Sequence, residues 1–264
     1  MTGLMLLPAA LAVIVYLFSA LRAAQARDSG PALLALVSAL TLHGVVLLAS
    51  MQALEGRLGL TQALSLLTWQ SALLLALLSR VAALRPLRTA IYPLAAAGVL
   101  LAALVPSPSG GNTQHDWRIA LHAALSIFAA GLLTLAAAQA VALDLLDRLL
   151  HKPDQLARVL RMPPMQASED WLFQLIGAGF FVLSLALLSG LFFVDDLFAQ
   201  HLVHKTVLSI IAWLIFGALL LGRQRWGWRG KRAVRWALAG YAALLLAYFG
   251  SKLVLEQILH RHWT

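Results

Sequence analysis

Eight apolar stretches of about 20 residues each dominate this chain of 264 residues. A helix of about 20 residues is about 30 Å long, which is the thickness of the hydrocarbon core of a bilayer. With 61% hydrophobic and 12% charged residues, the chain has too little polar surface for a soluble protein of this length. We therefore predict an all-α, multi-pass membrane protein in which residues 1–264 form a single membrane domain. The spans are predicted at residues 3–21, 31–54, 61–79, 89–105, 118–143, 171–193, 205–222 and 233–258.

The basic residues are divided unequally between the two sides of this arrangement. The connections after the first, third, fifth and seventh predicted helices contain 15 of the 20 Lys and Arg residues. Because Lys and Arg concentrate in cytoplasmic loops, these connections are predicted to be cytoplasmic and both termini to lie on the outer, periplasmic side. The net charge of +9 then reflects topology and contact with anionic headgroups of the lipid bilayer, and it does not indicate nucleic-acid binding.

Residues 144–170 form the longest predicted cytoplasmic connection. Its first part has no helix-breaking residue before Pro153 and is predicted to continue the fifth helix beyond the membrane.

Histidines on one side of the membrane are the polar residues that most need an explanation. In the predicted topology, seven of the eight histidines lie on or near the outer side. His43 is predicted near the midplane of the second helix and His122 just inside the outer end of the fifth, while His204 and His260 lie at the outer ends of the last two helices. Neutral imidazole is a good ligand for heme iron, copper or zinc. Because the chain has no cysteine, any metal would need nitrogen or oxygen ligands.

A plainer explanation of the same histidines stays open at this point. An imidazole inside a membrane is costly without a partner, but a hydrogen bond to a neighbouring helix satisfies it as well as a metal does. A small-molecule transporter is less well supported, since the spans lack both several acidic residues at mid-depth and repeated broken helices. The sequence also contains no recognisable set of nucleophile, base and acid, so catalysis by this chain alone is not predicted.

Several segments resemble a known family, and together they cover nearly the whole chain. They resemble the cytochrome c assembly proteins of the CcsA type and, more closely, their compact bacterial inner-membrane relatives of the YpjD and HemX kind. The Trp-Gly-Trp-Arg-Gly sequence at residues 226–230 is the most specific of these matches. The segments are Leu42–His43, Ala63–Trp69, Leu121–Ser126, His204–Phe216, Gly222–Arg232 and Ala247–Lys252.

The resemblance implies heme handling in a bacterial inner (cytoplasmic) membrane. Proteins of this type hold heme between two outer-face histidines that flank a tryptophan-rich loop, and they present it to apocytochrome c. By position, His122 and His260 are implied as axial ligands of heme iron and His43 as an intramembrane ligand. His204 is a further heme-binding candidate, which would partly take over the role of the tryptophan-rich loop. Arg118, Lys205 or Lys252 would then meet the heme propionates.

One departure from the family pattern keeps an alternative open. Residues 193–205 occupy the place of the tryptophan-rich loop but contain no tryptophan. The alternative is a non-catalytic regulator or scaffold of the HemX kind, which binds another membrane subunit or a cytoplasmic protein through the basic segment Arg223–Arg235.

Overall fold

The computed structural model describes residues 2–25, 30–53, 60–105, 117–151, 162–193 and 203–250. Within these ranges every regular element is helical, so the predicted all-α class is confirmed. A 3-10 helix, Ala82–Leu87, precedes the α-helix Arg88–Leu104, and a π-helical segment, Leu246–Gly250, follows the α-helix Gly230–Leu245. The α-helices are α1 Thr2–Ala24, α2 Gly30–Ala53, α3 Leu60–Leu77, α4 Arg88–Leu104, α5 Trp117–Leu150, α6 Met165–Phe193, α7 Val203–Trp226 and α8 Gly230–Leu245.

The helices correspond to the predicted spans with small shifts at their ends. Seven helical segments in the described ranges are long and apolar enough to cross a membrane. The eighth predicted span runs to residue 258; its described part is α8 with 16 residues and the π-helical segment, and residues 251–258 lie outside the described ranges. α5 extends to Leu150, which confirms its predicted continuation past residue 143. The orientation of the termini remains a prediction.

The helices divide into two compact units between residues 114 and 115. The first unit contains α1 to α4 and the second contains α5 to α8. The prediction of a single membrane domain stays a prediction.

The first unit is built on small side chains. Ala9 and Ala12 of α1 meet Val46 of α2 and Val99 of α4 in one buried cluster, where each side chain is at most 1% exposed. Small residues let helix backbones approach closely, which is how helices associate where lipid removes the hydrophobic driving force. The same packing encloses Tyr16, one turn further along α1, which is fully buried.

The second unit is centred on the pair α5 and α6. Gly179 of α6 lies against Leu133 of α5, so that a Cβ atom built on Gly179 would lie 2.7 Å from Cγ of that buried leucine. Many large apolar side chains on the outside of the unit are exposed, with Phe192 at 76%, as expected for a surface that contacts lipid.

Gly179→Ala is expected to destabilise the second unit by about 1–3 kcal/mol, because the added methyl group overlaps the buried side chain of Leu133. The measurement is the melting temperature of the detergent-solubilised protein. Gly177→Ala, two residues earlier on the same helix, is the matched control, since its Cβ would meet nothing within 4 Å. Equal melting temperatures for the two variants would contradict the described α5–α6 contact.

Candidate functional site

His43 lies in the buried interior of the first unit. Its side chain is 0% exposed, and both ring nitrogens have a hydrogen-bond partner. Nδ1 is 3.3 Å from the Tyr16 hydroxyl on α1, and Nε2 is 2.8 Å from Oγ of Ser65 on α3. Because a neutral imidazole has one N–H donor and one acceptor nitrogen, one hydroxyl donates to the ring and the other accepts from it. His43 therefore links three helices and leaves no lone pair free.

The residues around His43 explain why it can be buried there. The Trp69 indole N–H donates to the Leu40 carbonyl at 2.8 Å, and its ring lies 3.7 Å from the position that a Cβ on Gly44 would take. Both α2 residues flank His43, so the indole closes the polar cluster from one side. An interior polar group is tolerated in an apolar medium when its hydrogen-bonding capacity is met, as it is here.

His122 lies in the second turn of α5, in the second unit, and is half-buried. Its Nδ1 is 3.0 Å from the carbonyl oxygen of Ala186 and 3.0 Å from Oγ of Ser189, both on α6. The Ser189 hydroxyl itself donates to the Ala186 carbonyl at 2.8 Å. A carbonyl can only accept, so Nδ1 carries the ring proton in this arrangement.

The proton on Nδ1 determines what the other nitrogen can do. In a neutral ring, Nε2 then holds a lone pair, and within the described ranges it has no hydrogen-bond partner. Gly190 provides the space beside the ring, because a Cβ at that position would lie 3.1 Å from Cε1 of His122. A histidine whose second nitrogen is fixed by a carbonyl in this way has the arrangement commonly found in metal-ligating histidines.

Charge is distributed along the second unit so that His122 lies at its less basic end. This end carries Arg118 and Lys205, near the starts of α5 and α7. The other seven described Lys and Arg residues of the unit lie at the opposite end, at Arg148, Arg223, Arg225, Arg229, Lys231, Arg232 and Arg235.

The family-like Trp-Gly-Trp-Arg-Gly segment forms an ordered turn at the basic end. Gly227 and Gly230 have φ angles of 62° and 57°, in the region that favours glycine. The Trp228 amide donates to the Gly222 carbonyl at 3.1 Å, and the rings of Trp226 and Trp228 stack with their centroids 6.0 Å apart.

An ion-pair cluster anchors this turn to α6. The Arg223 guanidinium lies 3.5 Å from Glu169 and 3.2 Å from Asp170, and 4.7 Å above the ring of Phe173. The Glu169 carboxylate also accepts a hydrogen bond from the Gly230 amide, with an N···O distance of 3.1 Å. The ion pairs thus hold the end of α7 against the first turns of α6, and the hydrogen bond from Gly230 holds the start of α8 there.

The structure describes the side chains of two of the four histidines implied by the family resemblance, His43 and His122. His43 and His122 lie in different units, each with its own partners. His204 is the second residue of α7, where the structure describes the backbone only. His260 lies outside the described residues. In the described part of the chain, no group of three or more His, Cys, Asp or Glu side chains is placed to hold a metal ion. A ligand role for any of the four histidines stays a prediction.

The partners of both histidines were missed by reasoning from sequence. Tyr16 lies in an apolar stretch, Ser65 is one of several polar residues in the third predicted span, and Ser189 directly precedes Gly190 near the end of a span. The sequence gives only a weak signal, because each of these partners is a polar residue within a predicted membrane span. Nothing in the sequence indicates which of the many similar residues faces a histidine.

The family model and the similar proteins that the chain matches point to the same family. The chain matches the family described as "Cytochrome C assembly protein" over residues 1–259. It is 36% identical over 168 residues to the inner membrane protein YpjD of Escherichia coli, a match that covers 64% of this chain and 64% of that relative. The chain thus spans less than two thirds of that relative's length.

Two further relatives match shorter parts of the chain. An uncharacterized 28.8 kDa protein of Azospirillum brasilense is 37% identical over 164 residues, covering 60% of this chain and 59% of the relative. The cytochrome c biogenesis protein CcsA of Heterosigma akashiwo is 31% identical over 84 residues, covering 31% of this chain and 26% of the relative. No solved structure matches the chain.

His43→Leu is expected to lower the stability of the first unit by about 1–3 kcal/mol, because it leaves the buried Tyr16 and Ser65 hydroxyls without partners. The melting temperature in detergent measures the effect. Thr41→Ala on the same helix is the control, since Thr41 is exposed and donates only to the nearby Ser38 carbonyl.

A triple variant, His43→Leu with Tyr16→Phe and Ser65→Ala, removes all three polar groups and should recover much of the lost stability. If the triple variant melts lower than His43→Leu alone, the three groups do not depend on one another as described.

Proposed function

The chain belongs to the cytochrome c assembly protein family of the bacterial inner membrane, and on that premise we propose that it holds heme at the outer face of the membrane through His122. The observation that carries the proposal is the hydrogen bond from Nδ1 of His122 to the Ala186 carbonyl. It places the ring proton away from Nε2 and leaves that nitrogen able to bind iron without first losing a proton or a hydrogen bond.

The residues around His122 fit this role in three respects. Ala186 and Ser189 hold the ring in one orientation, which lowers the conformational entropy lost on ligation. Gly190 keeps space clear beside Cε1. Arg118 and Lys205 bring positive charge to the same end of the unit, where heme propionates need it. When bound, heme supplies a redox-active iron, and these residues bind and orient it.

The remaining ligands follow from the family pattern. His260 is proposed as a second iron ligand, because the resemblance implies it, and His204 as a further heme-binding residue, because it lies in the segment that takes the place of the tryptophan-rich loop. His43 is the weaker candidate for a ligand, because iron binding there would require one of its two hydrogen bonds to break. The outer location is supported by the position of His122 opposite the basic end of its unit. Apocytochrome c, or another membrane subunit, is the proposed partner.

His122→Ala is expected to reduce the heme content of the purified protein at least tenfold, because the protein loses an iron–nitrogen bond. The measurement is the Soret absorbance per protein after expression with ample heme, recorded oxidised and reduced. Added imidazole should restore part of the absorbance by occupying the vacated position. His151→Ala is the matched control, since His151 directly follows the same helix at its opposite end and its Nδ1 donates only to the nearby Asp147 carbonyl.

Two outcomes would overturn the assignment. If the double variant His122→Ala with His260→Ala keeps the Soret band of the unmodified protein, these histidines do not ligate heme. If the unmodified protein is colourless and fails to take up added hemin, the heme-holding proposal is wrong. The alternative of a regulator or scaffold then takes its place, and it predicts a stable complex with another protein.

Gly190→Ala tests the geometry of the site and not only its composition. The added methyl group would press on Cε1 of His122, so the ring must shift by a few tenths of an ångström. We expect weaker hemin binding and a shifted Soret maximum, with an unchanged melting temperature. Gly177→Ala on the same helix should leave both the hemin affinity and the Soret maximum unaltered. Identical spectra for the two variants would contradict the placement of Gly190 against the ring.

A further inference from the structure

A cavity lies between α5 and α8 at the basic end of the second unit. Its volume is about 460 Å³, and it is partly open to the outside. One part of its wall is apolar and the rest is charged, with three basic side chains and one acidic one. The lining residues are Asp144, Arg148, Lys231, Val234, Arg235 and Leu238.

On α5, the cavity lies at the end of a stripe of side chains that faces lipid. Val141 and Leu145 are 55% and 52% exposed, and Arg148 is exposed on the same face. The spacing of four and three residues places the three side chains in one row along the helix.

On α8 and the first residue of the π-helical segment that follows it, a second exposed stripe ends in the same way. Arg235, Ala239, Ala242 and Leu246 are all exposed and recur at spacings of four, three and four residues. Two neighbouring helices therefore each present an apolar row to the bilayer, and each row ends in an arginine that lines the cavity.

The charges in the cavity are only partly balanced by the protein. Arg148 pairs with Asp144 at 2.6 Å, and Lys231 pairs with Asp147 at 3.2 Å. Arg235 makes no hydrogen bond or ion pair with any residue in the described ranges. A guanidinium beside an apolar wall and without a protein counter-ion favours an anion from outside the chain.

The depth of Arg235 is indicated by its aromatic neighbours. Trp236, the next residue, lies with its ring centroid 5.2 Å from that of Trp228, which in turn stacks on the exposed Trp226. Tryptophan concentrates at the level of the lipid headgroups. The cavity is therefore placed where lipid phosphates lie.

We propose that this cavity binds the headgroup of an anionic phospholipid, of the phosphatidylglycerol or cardiolipin class. Arg235 is the main phosphate ligand and Arg148 is the second, while Val234 and Leu238 contact the first carbons of an acyl chain that continues along the exposed rows. Basic pockets between membrane helices commonly take such headgroups. The site lies at the opposite end of the unit from His122. The proposal of a lipid site therefore does not depend on heme binding.

The test is a titration of the full chain, purified in an uncharged detergent, with short-chain phosphatidylglycerol. Tryptophan fluorescence follows binding, since Trp236 adjoins Arg235, and native mass spectrometry counts the bound lipids. Arg235→Gln is expected to weaken binding about fivefold or more. Arg225→Gln removes the same charge from an exposed arginine that has no described partner and does not line the cavity, and it should change the affinity less than twofold. Arg235→Lys, which keeps the charge but not the planar fork, should bind with intermediate affinity.

Three results would overturn the proposal. Equal losses for Arg235→Gln and Arg225→Gln would mean that lipid responds only to overall charge. Equal binding of phosphatidylcholine of the same chain length would mean that the headgroup charge is not recognised. Displacement of the lipid by millimolar inorganic phosphate would identify a site for soluble anions. Melting temperatures of all variants, measured without lipid, keep a folding defect from being mistaken for a lost site.

Discussion

Hydrocarbon supplies no hydrogen bonds, and this constraint determines where the polar side chains of the protein lie. Many serine and threonine hydroxyls donate to a carbonyl of their own helix, as Ser71 does to Leu67 and Ser184 does to Phe180. Groups with more capacity reach a neighbouring helix: the Gln139 amide donates to the Ser168 carbonyl at 2.9 Å. His43 and His122 likewise find hydrogen-bond partners on neighbouring helices. These partners decide what chemistry each imidazole can perform.

His43 and His122 show how one residue type acquires two different capacities. Hydroxyl groups surround His43 on both sides, and a hydroxyl can donate or accept, so both ring nitrogens are occupied. For His122, a carbonyl acceptor on one side and no described group on the other fix a single tautomer. The family pattern alone does not separate the two, since it implies both as heme-binding residues. The difference lies in the neighbouring helices.

The helical architecture could be predicted from the sequence because its cause is local. Apolar runs of sufficient length must be helical in a bilayer, and the ends of α2, α3 and α4 lie within two residues of the predicted boundaries. The environment of each histidine could not be predicted in the same way. Whether Ser65 or Ser189 faces a histidine depends on the rotation and pairing of helices that are distant in sequence, and a single sequence does not encode those angles in any local pattern.

The length of α5 connects the two proposed sites of the second unit. His122 and Arg148 are 26 positions apart on one continuous helix, so they are separated by about 39 Å along its axis. A bilayer with its headgroup regions is about 40–45 Å thick. If Arg148 and Arg235 contact phosphates on one side, His122 therefore comes to the opposite boundary between hydrocarbon and headgroups. A lipid held at the basic end would then fix the depth of α5 in the membrane, and with it the depth at which Nε2 of His122 is presented. The rigid rise of a helix, together with one anchored end, is sufficient to place a ligand at a membrane surface without any loop to position it.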